Sequence, residues 1–402
     1  MTTQTKTNWH KIKLGEVTDI NMGQSPQSQF YNSDGDGLPF FQGVTEFGEM
    51  FPKIKQWTSK VTKVAEPGDI LFSVRAPVGR INYSKEKICI GRGLASMRSK
   101  EKLLNQNYLF YLLKNEENNF ILQSGGSIYD SINKDKLNDF DVSIPTVDTQ
   151  KQIADVLSGY DNLIENNARR IQILEQTAQA VYKEWFTSLA SKKWNVSTLR
   201  DVIDSYIGGG WGKEEPDKKY SGHAYVIRGT DIPNASTGNI STCPLRYHTP
   251  SNLRTRVLQA GDLVFEVSGG SKGQPVGRSL LITNNLLDQF KQNVICASFC
   301  KLIRPDQNKI SSFQLYEQIL GWYKNGVIEK YQVQSTGISN FRFESFIDEE
   351  KVILPPEEIR EKFDHLVSPL FDEIYSLGKQ NQNLRQTRNL LLPKLITGEI
   401  KV

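Results

Sequence analysis

Residues 148–186 read DTQKQIADVLSGYDNLIENNARRIQILEQTAQAVYKEWF, and residues 357–395 read EEIREKFDHLVSPLFDEIYSLGKQNQNLRQTRNLLLPKL. In both stretches, positions spaced alternately four and three apart form a mostly apolar seam, which is typical of helices that pair as a coiled coil. The first seam comprises Ile153, Leu157, Tyr160, Ile164, Asn167, Ile171, Leu174, Ala178, Val181 and Trp185. The second comprises Phe363, Val367, Leu370, Ile374, Leu377, Asn381, Leu384, Arg388, Leu391 and Leu395. Two matched seams favour mutual pairing over one helix buried in a globular core.

Each seam contains one asparagine, Asn167 or Asn381. A buried amide favours a register in which it finds a partner. An antiparallel pairing that sets Asn167 opposite Asn381 also sets every other seam residue opposite a seam residue. Only Tyr160 with Arg388 mixes polarity, and an arginine can stack on a tyrosine ring. We therefore predict an antiparallel coiled coil with an Asn167–Asn381 contact, unless a proline bends the second helix.

The chain is internally duplicated. Gly-Asp-Ile-Leu-Phe at 68–72 returns as Gly-Asp-Leu-Val-Phe at 261–265, and Pro-Val-Gly-Arg occurs at both 77–80 and 275–278. A repeat of this kind predicts two copies of one structural unit. Each copy is followed by one of the two helical stretches, so the order is domain, helix, domain, helix.

These features divide the chain into four segments. They are a first domain at 1–148, a central helix at 149–190, a second domain at 191–357 and a C-terminal helix at 358–402. Short β-branched and aromatic runs, cut by Gly, Pro, Asn and Asp, predict strands and loops in both domains. The predicted fold class is α/β (α+β): two similar mixed α/β domains separated by a long antiparallel two-helix coiled coil, with pseudo-twofold symmetry.

Composition limits the class of protein. The 402 residues are 38% hydrophobic and 23% charged, enough to bury proper cores. No apolar run approaches the roughly 18 residues of a membrane span, and the polar N-terminus lacks the apolar core of a signal peptide. We expect no membrane association and a cytoplasmic location. The four cysteines, Cys89, Cys243, Cys296 and Cys300, are expected to be free buried thiols rather than metal ligands.

No catalytic motif is complete. Gly208-Gly-Gly-Trp-Gly-Lys213 is one residue short of a phosphate-binding loop, and a flexible loop is the simpler interpretation. The only Pro-Pro, at 355–356, lacks the preceding Asn or Asp of an amine methyltransferase. Asp306, Glu349 and Glu350 resemble the carboxylates of a metal-dependent nuclease, but Asp306 is far from the two glutamates in sequence, and short patterns of this kind are common by chance. We therefore predict neither a catalytic residue nor a metal site.

Basic residues cluster in one part of the first domain. Residues 75–102 contain eight basic and two acidic side chains, a local charge of +6 within a chain of net charge +4. Specific DNA-binding proteins typically neutralise about 6–10 phosphates, so a patch of this size suits a nucleic acid. A solvated loop surface with scattered charges is the alternative.

Taken in order, these pieces resemble the specificity subunits of type I restriction-modification systems over essentially the whole chain. The resemblance is carried by the duplicated Gly-Asp motifs at 68–73 and 261–266, the Ile-Pro and Leu-Pro entries to the helices, Lys-Glu-Trp-Phe at 183–186 and Leu-Leu-Pro-Lys-Leu-Ile-Thr-Gly-Glu-Ile at 391–400. It implies a non-catalytic subunit that reads a bipartite, asymmetric site in double-stranded DNA. Two methyltransferase subunits, carrying S-adenosylmethionine, and ATP- and Mg-dependent restriction subunits would dock on it. This chain itself would hold no cofactor.

The residues leave two other interpretations open. One is a self-contained DNA methyltransferase or nuclease, and the other is a coiled-coil scaffold that does not bind DNA. Candidate DNA contacts follow from the basic and Gly-rich loops, since arginine reads guanine and binds phosphate. Gln42 and Arg228 occupy equivalent positions in the two halves of the chain. The candidates are Gln42, Arg75, Arg80, Arg92, Arg228, Lys272 and Arg278. For each, a salt bridge or a solvated loop is the alternative.

Overall fold

The computed structural model describes residues 9–124, 131–188, 194–269, 274–335 and 338–402. Its helices are α1 (Leu14–Val17), α2 (Gln106–Asn115), α3 (Glu117–Ser124), α4 (Lys134–Asn138), α5 (Val147–Lys183), α6 (Ile232–Ala235), α7 (Pro250–Arg256), α8 (Asn284–Leu287), α9 (Ser312–Lys324), α10 (Phe343–Glu349) and α11 (Glu357–Ile396). A π-helical turn at Glu184–Ser188 continues α5, and 3-10 turns occupy Ser28–Phe30, Arg200–Val202 and Val327–Tyr331. The predicted mixture of helix and strand and the long central helix are confirmed.

The chain divides into two compact units. Unit 1 comprises Met1–Asn162 with Arg385–Val402, and unit 2 comprises Leu163–Leu384. The strands of unit 1 are β1 (His10–Lys13), β2 (Thr18–Met22), β3 (Tyr31–Asn32), β4 (Leu38–Phe41), β5 (Trp57–Thr58), β6 (Val64–Ala65), β7 (Ile70–Ser73), β8 (Ile81–Tyr83), β9 (Ile88–Ile90), β10 (Leu94–Ser99) and β11 (Asp141–Ile144). Each unit takes in part of both long helices, whereas the predicted segments treat those helices as separate.

The strands of unit 2 are β12 (Asn195–Thr198), β13 (Ile203–Gly208), β14 (Gly222–Ile227), β15 (Leu245–His248), β16 (Leu263–Glu266), β17 (Ser268–Gly269), β18 (Ser279–Leu281), β19 (Val294–Cys296), β20 (Cys300–Pro305), β21 (Gln332–Ser335), β22 (Ile338–Phe341) and β23 (Lys351–Leu354). Unit 1 has an antiparallel sheet in the order β2-β10-β7-β8, and unit 2 has the matching order β13-β20-β16-β18. Both units also contain a parallel pair, β4 with β9 and β14 with β19. The sequence repeat therefore corresponds to a repeated strand connectivity.

In unit 1, the β2-β10-β7-β8 sheet is buried on both faces. Successive side chains of a strand point to opposite faces. Ile70 and Phe72 accordingly join the cluster that includes α2, while Leu71 between them joins a second cluster with Phe41 and Ile90. This packing explains why β7 is a continuous apolar run. In unit 2, a large cluster includes β16, α9 and the unit 2 portions of both long helices, and a small cluster lies around Val226 and Ile295.

The duplicated Gly-Asp motif forms the same turn before β7 and before β16. Gly68 and Gly261 have φ values of +86° and +93°, a region that favours glycine. The following aspartates accept a backbone N–H from three residues earlier, at 2.9 Å for Asp69 and 2.7 Å for Asp262. Each aspartate also binds an arginine of a neighbouring strand, Arg98 or Arg304. The motif is therefore structural, and it occupies one arginine of the basic patch.

In unit 2, the two asparagines of the seams are in contact. Asn167 Nδ2 donates to Asn381 Oδ1 at 3.1 Å, and Asn381 Nδ2 donates to the Ile164 carbonyl at 3.2 Å. Both side chains are buried, so the amides satisfy each other inside the helix pair. The contacts run antiparallel, since Phe186 and Tyr182 meet Phe363 at the other end of these helical portions. Helix α11 continues without a break through Pro369 and Pro393.

In unit 1, Arg388 does not have the partner that the seam predicts. Its guanidinium binds the carboxylate of Asp161, the neighbour of Tyr160, and also approaches Glu49 Oε1 at 3.4 Å. Tyr111 Oη donates to the same aspartate at 2.6 Å. A carboxylate satisfies a buried guanidinium better than an aromatic ring does, because it offers opposite charge as well as acceptors.

Candidate nucleic-acid interface

The carboxyl ends of the parallel strand pairs carry the same backbone frame in both units. Phe41 lies beside Ile90 at the end of β4, and Ile227 lies beside Cys296 at the end of β14. Five backbone hydrogen bonds, named from donor N–H to acceptor oxygen, are shared. In unit 1 they run from Gly23 to Leu94, Gln24 to Ile90, Gly91 to Phe41, Leu94 to Gly91 and Val74 to Gly93. In unit 2 they run from Gly209 to Cys300, Gly210 to Cys296, Ala297 to Ile227, Cys300 to Ala297 and Val267 to Phe299.

This shared frame places Gln42 and Arg228 at equivalent positions, directly after the equivalent strands. It also depends on a glycine in each unit. A Cβ on Gly23 would lie 2.2 Å from the Gly91 oxygen, and one on Gly209 would lie 2.1 Å from the Cys296 oxygen. Only glycine allows such an approach of two chain segments.

In unit 1, the frame brings three of the predicted contact residues together. Gln42 is exposed, and its Oε1 accepts a hydrogen bond of 2.8 Å from Ser25 Oγ. The same hydroxyl accepts the backbone N–H of Arg92 at 3.1 Å. Val74, whose N–H binds the Gly93 oxygen in the frame, is followed by Arg75. The side chains of Arg75 and Arg92 are exposed and have no ion-pair partner among the residues that the structure describes.

The fourth candidate of unit 1, Arg80, is engaged elsewhere. Its Nε lies 3.0 Å from Glu117 Oε1, although 60% of its side chain is exposed. Other charges of the basic patch are also used within unit 1. Lys87 pairs with Glu66, and Lys100 donates to the carbonyls of Gly15 and Glu16. The patch therefore offers fewer free cations than its charge of +6 indicates.

In unit 2, Arg228 is held rigidly by its neighbours. Its Nε and Nη2 donate to Asp231 at 2.8 and 2.9 Å, and Nη2 also donates to the Thr242 carbonyl at 2.8 Å. Burial alone would raise the pKa of Asp231, but the hydrogen bonds from Arg228 and Thr242 outweigh it and lower that pKa below its ordinary value. Arg228 keeps 39% of its side chain exposed.

Of the two remaining unit 2 candidates, the structure describes only Arg278. Arg278 is only 12% exposed, and its Nε and Nη2 bind both oxygens of the buried Glu266. That pairing stabilises the interior and leaves little of the guanidinium for a ligand. Lys272 lies outside the described residues.

A cleft of about 520 Å³ opens beside Arg228. Its walls include Trp211 and Phe299, which are 37% and 60% exposed, and the Arg278–Glu266 pair also lines it. Sequence reasoning missed both aromatic residues. Trp211 lies in the Gly-rich stretch that was compared with a phosphate-binding loop, and Phe299 lies in an apolar run that reads as a strand. Alignment of Gly209 with Gly23 is the signal that would have found Trp211, whereas the sequence carries no comparable signal for Phe299.

Other chemistry has little support within the described parts of the chain. No group of three or more His, Cys, Asp or Glu side chains there could hold a metal ion. The four cysteines are free and buried, as predicted, and burial raises the pKa of the Cys296 thiol to about 12. None of the described helices has both the length and the apolar character needed to cross a membrane.

Comparison with known proteins finds similarity to DNA specificity subunits. Residues 6–176 match the type I restriction modification DNA specificity domain. Over 176 residues, the chain is 37% identical to a protein of Methanocaldococcus jannaschii named as the MjaX type I restriction enzyme specificity subunit, a match that covers 43% of this chain and 41% of that one. The MjaIX specificity subunit of the same organism is 24% identical over 439 residues, which cover 98% of this chain and 94% of that one.

A solved structure has the same fold along almost the whole chain. The type I restriction-modification system S subunit from M. genitalium matches 98% of both chains with a TM-score of 0.59, at 16% sequence identity. The similarity in fold thus extends beyond the residues that match the specificity domain.

Proposed function

We propose that this chain is a type I restriction-modification specificity subunit and that it selects the DNA sequence on which partner subunits act. The observation that carries this proposal is the duplicated frame at the ends of the parallel strands. Two equivalent frames with different side chains suit the recognition of two different half-sites. A bipartite, asymmetric site in double-stranded DNA is the expected target.

The two units act as target-recognition domains, and the paired portions of α5 and α11 form an antiparallel coiled coil that sets the gap between half-sites. The Asn167–Asn381 hydrogen bond supports one register of that coil, since a shift by one heptad would leave both amides facing apolar side chains. Two methyltransferase subunits and the restriction subunits dock on this chain. S-adenosylmethionine, ATP and Mg belong to those partners.

Methyl transfer by reconstituted subunits tests this division of labour. The purified chain alone is expected to transfer no methyl group from S-adenosylmethionine to DNA, whereas the chain with its methyltransferase subunits should methylate adenine. The methyltransferase without this chain should lose sequence-specific methylation. Methylation by this chain alone, abolished by substituting one of its own residues, would contradict the proposal.

Arg75 and Arg92 are expected to contact phosphates. Each neutralised phosphate contributes about 0.9 to the slope of log affinity against log salt concentration. Arg75→Ala and Arg92→Ala should therefore each lower that slope by about one unit, with similar losses of affinity on all sequences. Because Arg80 binds Glu117, Arg80→Ala should have a smaller effect. Binding of the assembled complex to DNA, measured from 50 to 200 mM salt, checks this.

Lys102→Ala provides the matched control for these two variants. It removes one positive charge beyond the end of β10 that lies away from Gly93, about 20 Å along the strand at the usual rise per residue. Its slope should equal that of the unmodified complex. Equal slopes for Arg92→Ala, Arg75→Ala and Lys102→Ala would show that the two arginines lie away from DNA.

A further inference from the structure

The shared frame makes it possible to compare the two units position by position at their strand ends. The five matched hydrogen bonds align Ser25 with Trp211, Gln42 with Arg228, Arg92 with Ser298 and Gly93 with Phe299. The backbone is the same at these four positions, yet none carries the same side chain in both units. Unit 1 presents hydrogen-bonding groups there, while unit 2 presents two aromatic rings.

The Trp211 ring and the backbone of Phe299 are both held in place, although the side chains are 37% and 60% exposed. The Arg246 guanidinium stacks 4.2 Å from the centre of the Trp211 ring and is itself paired with Glu214 at 2.7 Å. The carbonyl of Phe299 accepts the N–H groups of Val267 and Ser268, at 2.9 and 3.2 Å. Two partly exposed aromatic side chains in the wall of one cleft form an apolar patch of the kind that marks a ligand-binding surface. Preorganised rings also lose little side-chain entropy on binding.

Arg228 adds directed donors to this aromatic surface. Its Nε and Nη2 are occupied by Asp231 and the Thr242 carbonyl, while its Nη1 has no hydrogen-bond partner in the part of the chain that the structure describes. The Asp231 carboxylate fixes the plane of the guanidinium. Two N–H groups of Nη1 thus remain for an acceptor at the cleft.

The major groove of DNA presents groups that match this combination. The C5-methyl group of thymine is the apolar feature of the groove, and aromatic side chains contact it. Guanine N7 and O6 are its strongest acceptors for arginine. The two carboxylates near the cleft, Glu266 and Asp231, are each paired with an arginine and so do not repel the phosphates strongly.

We infer that Trp211, Phe299 and Arg228 are the specificity-determining residues of unit 2, with the rings contacting a thymine methyl group and Arg228 donating to a neighbouring guanine. Ser25 and Gln42 do the equivalent work in unit 1 by hydrogen bonding. This inference rests on the proposed function, and it specifies which chemical groups of the DNA bases each unit recognises.

Replacement of thymine by uracil tests the inference, since it removes only the methyl group. Uracil is placed in turn at each thymine of both half-sites, and binding is measured for complexes assembled with the unmodified full-length chain, Trp211→Ala or Phe299→Ala. Loss of one buried methyl group weakens binding about fourfold. In one half-site only, we expect a thymine whose replacement weakens binding about fourfold in the unmodified complex and has no effect in the Phe299→Ala complex.

Val196→Ala serves as the matched control, because Val196 is an exposed apolar residue of unit 2 on β12 and does not line the cleft. It should keep the full response to uracil. Melting temperatures of the Phe299→Ala and Val196→Ala chains should equal that of the unmodified chain, since Phe299 and Val196 are 60% and 58% exposed. Unchanged base preferences in both the Trp211→Ala and Phe299→Ala complexes would overturn the inference. A complex of the unmodified chain that prefers no sequence would instead overturn the proposed function.

Discussion

Arg388→Ala is expected to lower the free energy of unfolding of unit 1 by about 3–5 kcal/mol, the usual cost of removing one partner from a buried ion pair. The Arg388 and Asp161 side chains are 6% and 2% exposed. Without the guanidinium, Asp161 would keep only the Tyr111 hydroxyl as a described side-chain donor, so a buried carboxylate would lose its counter-charge. Urea unfolding of the full-length chain measures the effect.

The same substitution also weakens the attachment of the Glu49 loop to α11. Arg385 Nη2 binds Glu49 Oε2 at 2.6 Å, and Arg388 adds a second positive charge. Burial raises the pKa of Glu49, but the hydrogen bond and charge of Arg385, together with Arg388, lower it below its ordinary value. A carboxyl group with a lowered pKa stabilises the fold at neutral pH, and this contribution is lost as the pH falls through its pKa in the folded protein.

Arg169→Ala is the control for Arg388→Ala. Arg169 pairs with Glu165 one turn away on α5, and both side chains are well exposed, so the loss should stay below about 1 kcal/mol. A loss for Arg388→Ala no larger than that for Arg169→Ala would show that the buried network contributes little.

Exchange of unit 1 for that of a relative with another specificity should change one half of the recognised site and leave the other half intact. Each unit has its own frame and its own core, so each can be replaced without altering the proposed DNA-contact residues of the other. The exchange of residues 1–148 joins the two chains at the start of α5. Maps of methylated adenines from cells that express each chimera give both half-sites.

The structure identifies which residues should accompany this exchange. Leu392 and Leu395 of α11 belong to the core of unit 1, and Arg385 and Arg388 bind its Glu49. A second chimera, which also takes residues 385–402 from the relative, should be more stable and have the same altered half-site. If both half-sites changed in either chimera, the two units would not be independent readers.

The long helices could be predicted from the sequence because their periodicity is local. Ten positions at alternating spacings of four and three specify a helix face, and one asparagine in each seam specifies a register. The partner of Arg388 could not be predicted in this way. Glu49 and Tyr111, which contribute to the buried network around Arg388 and Asp161, lie in a loop and in α2, far from Arg388 in sequence. The seam pattern does not predict them, because it identifies contacts only between the two long helices.

The candidate interface was predictable only where the repeat is strong. Gln42 and Arg228 follow equivalent apolar strands, so their equivalence could be predicted from the pattern. Arg278 shares its Pro-Val-Gly-Arg motif with Arg80, but the motif does not specify a partner. Arg278 binds the buried Glu266, whereas Arg80 binds the half-buried Glu117. Exposure of Phe299 depends on a turn that an apolar sequence does not reveal.

The most direct test of the central claim, that two units of one chain read two half-sites, is a genome-wide map of methylated adenines in cells that express this chain with its methyltransferase. We predict a single asymmetric motif with two specified parts, separated by unspecified bases of constant number. A single continuous motif, a motif with a variable gap, or methylation without sequence preference would contradict the account.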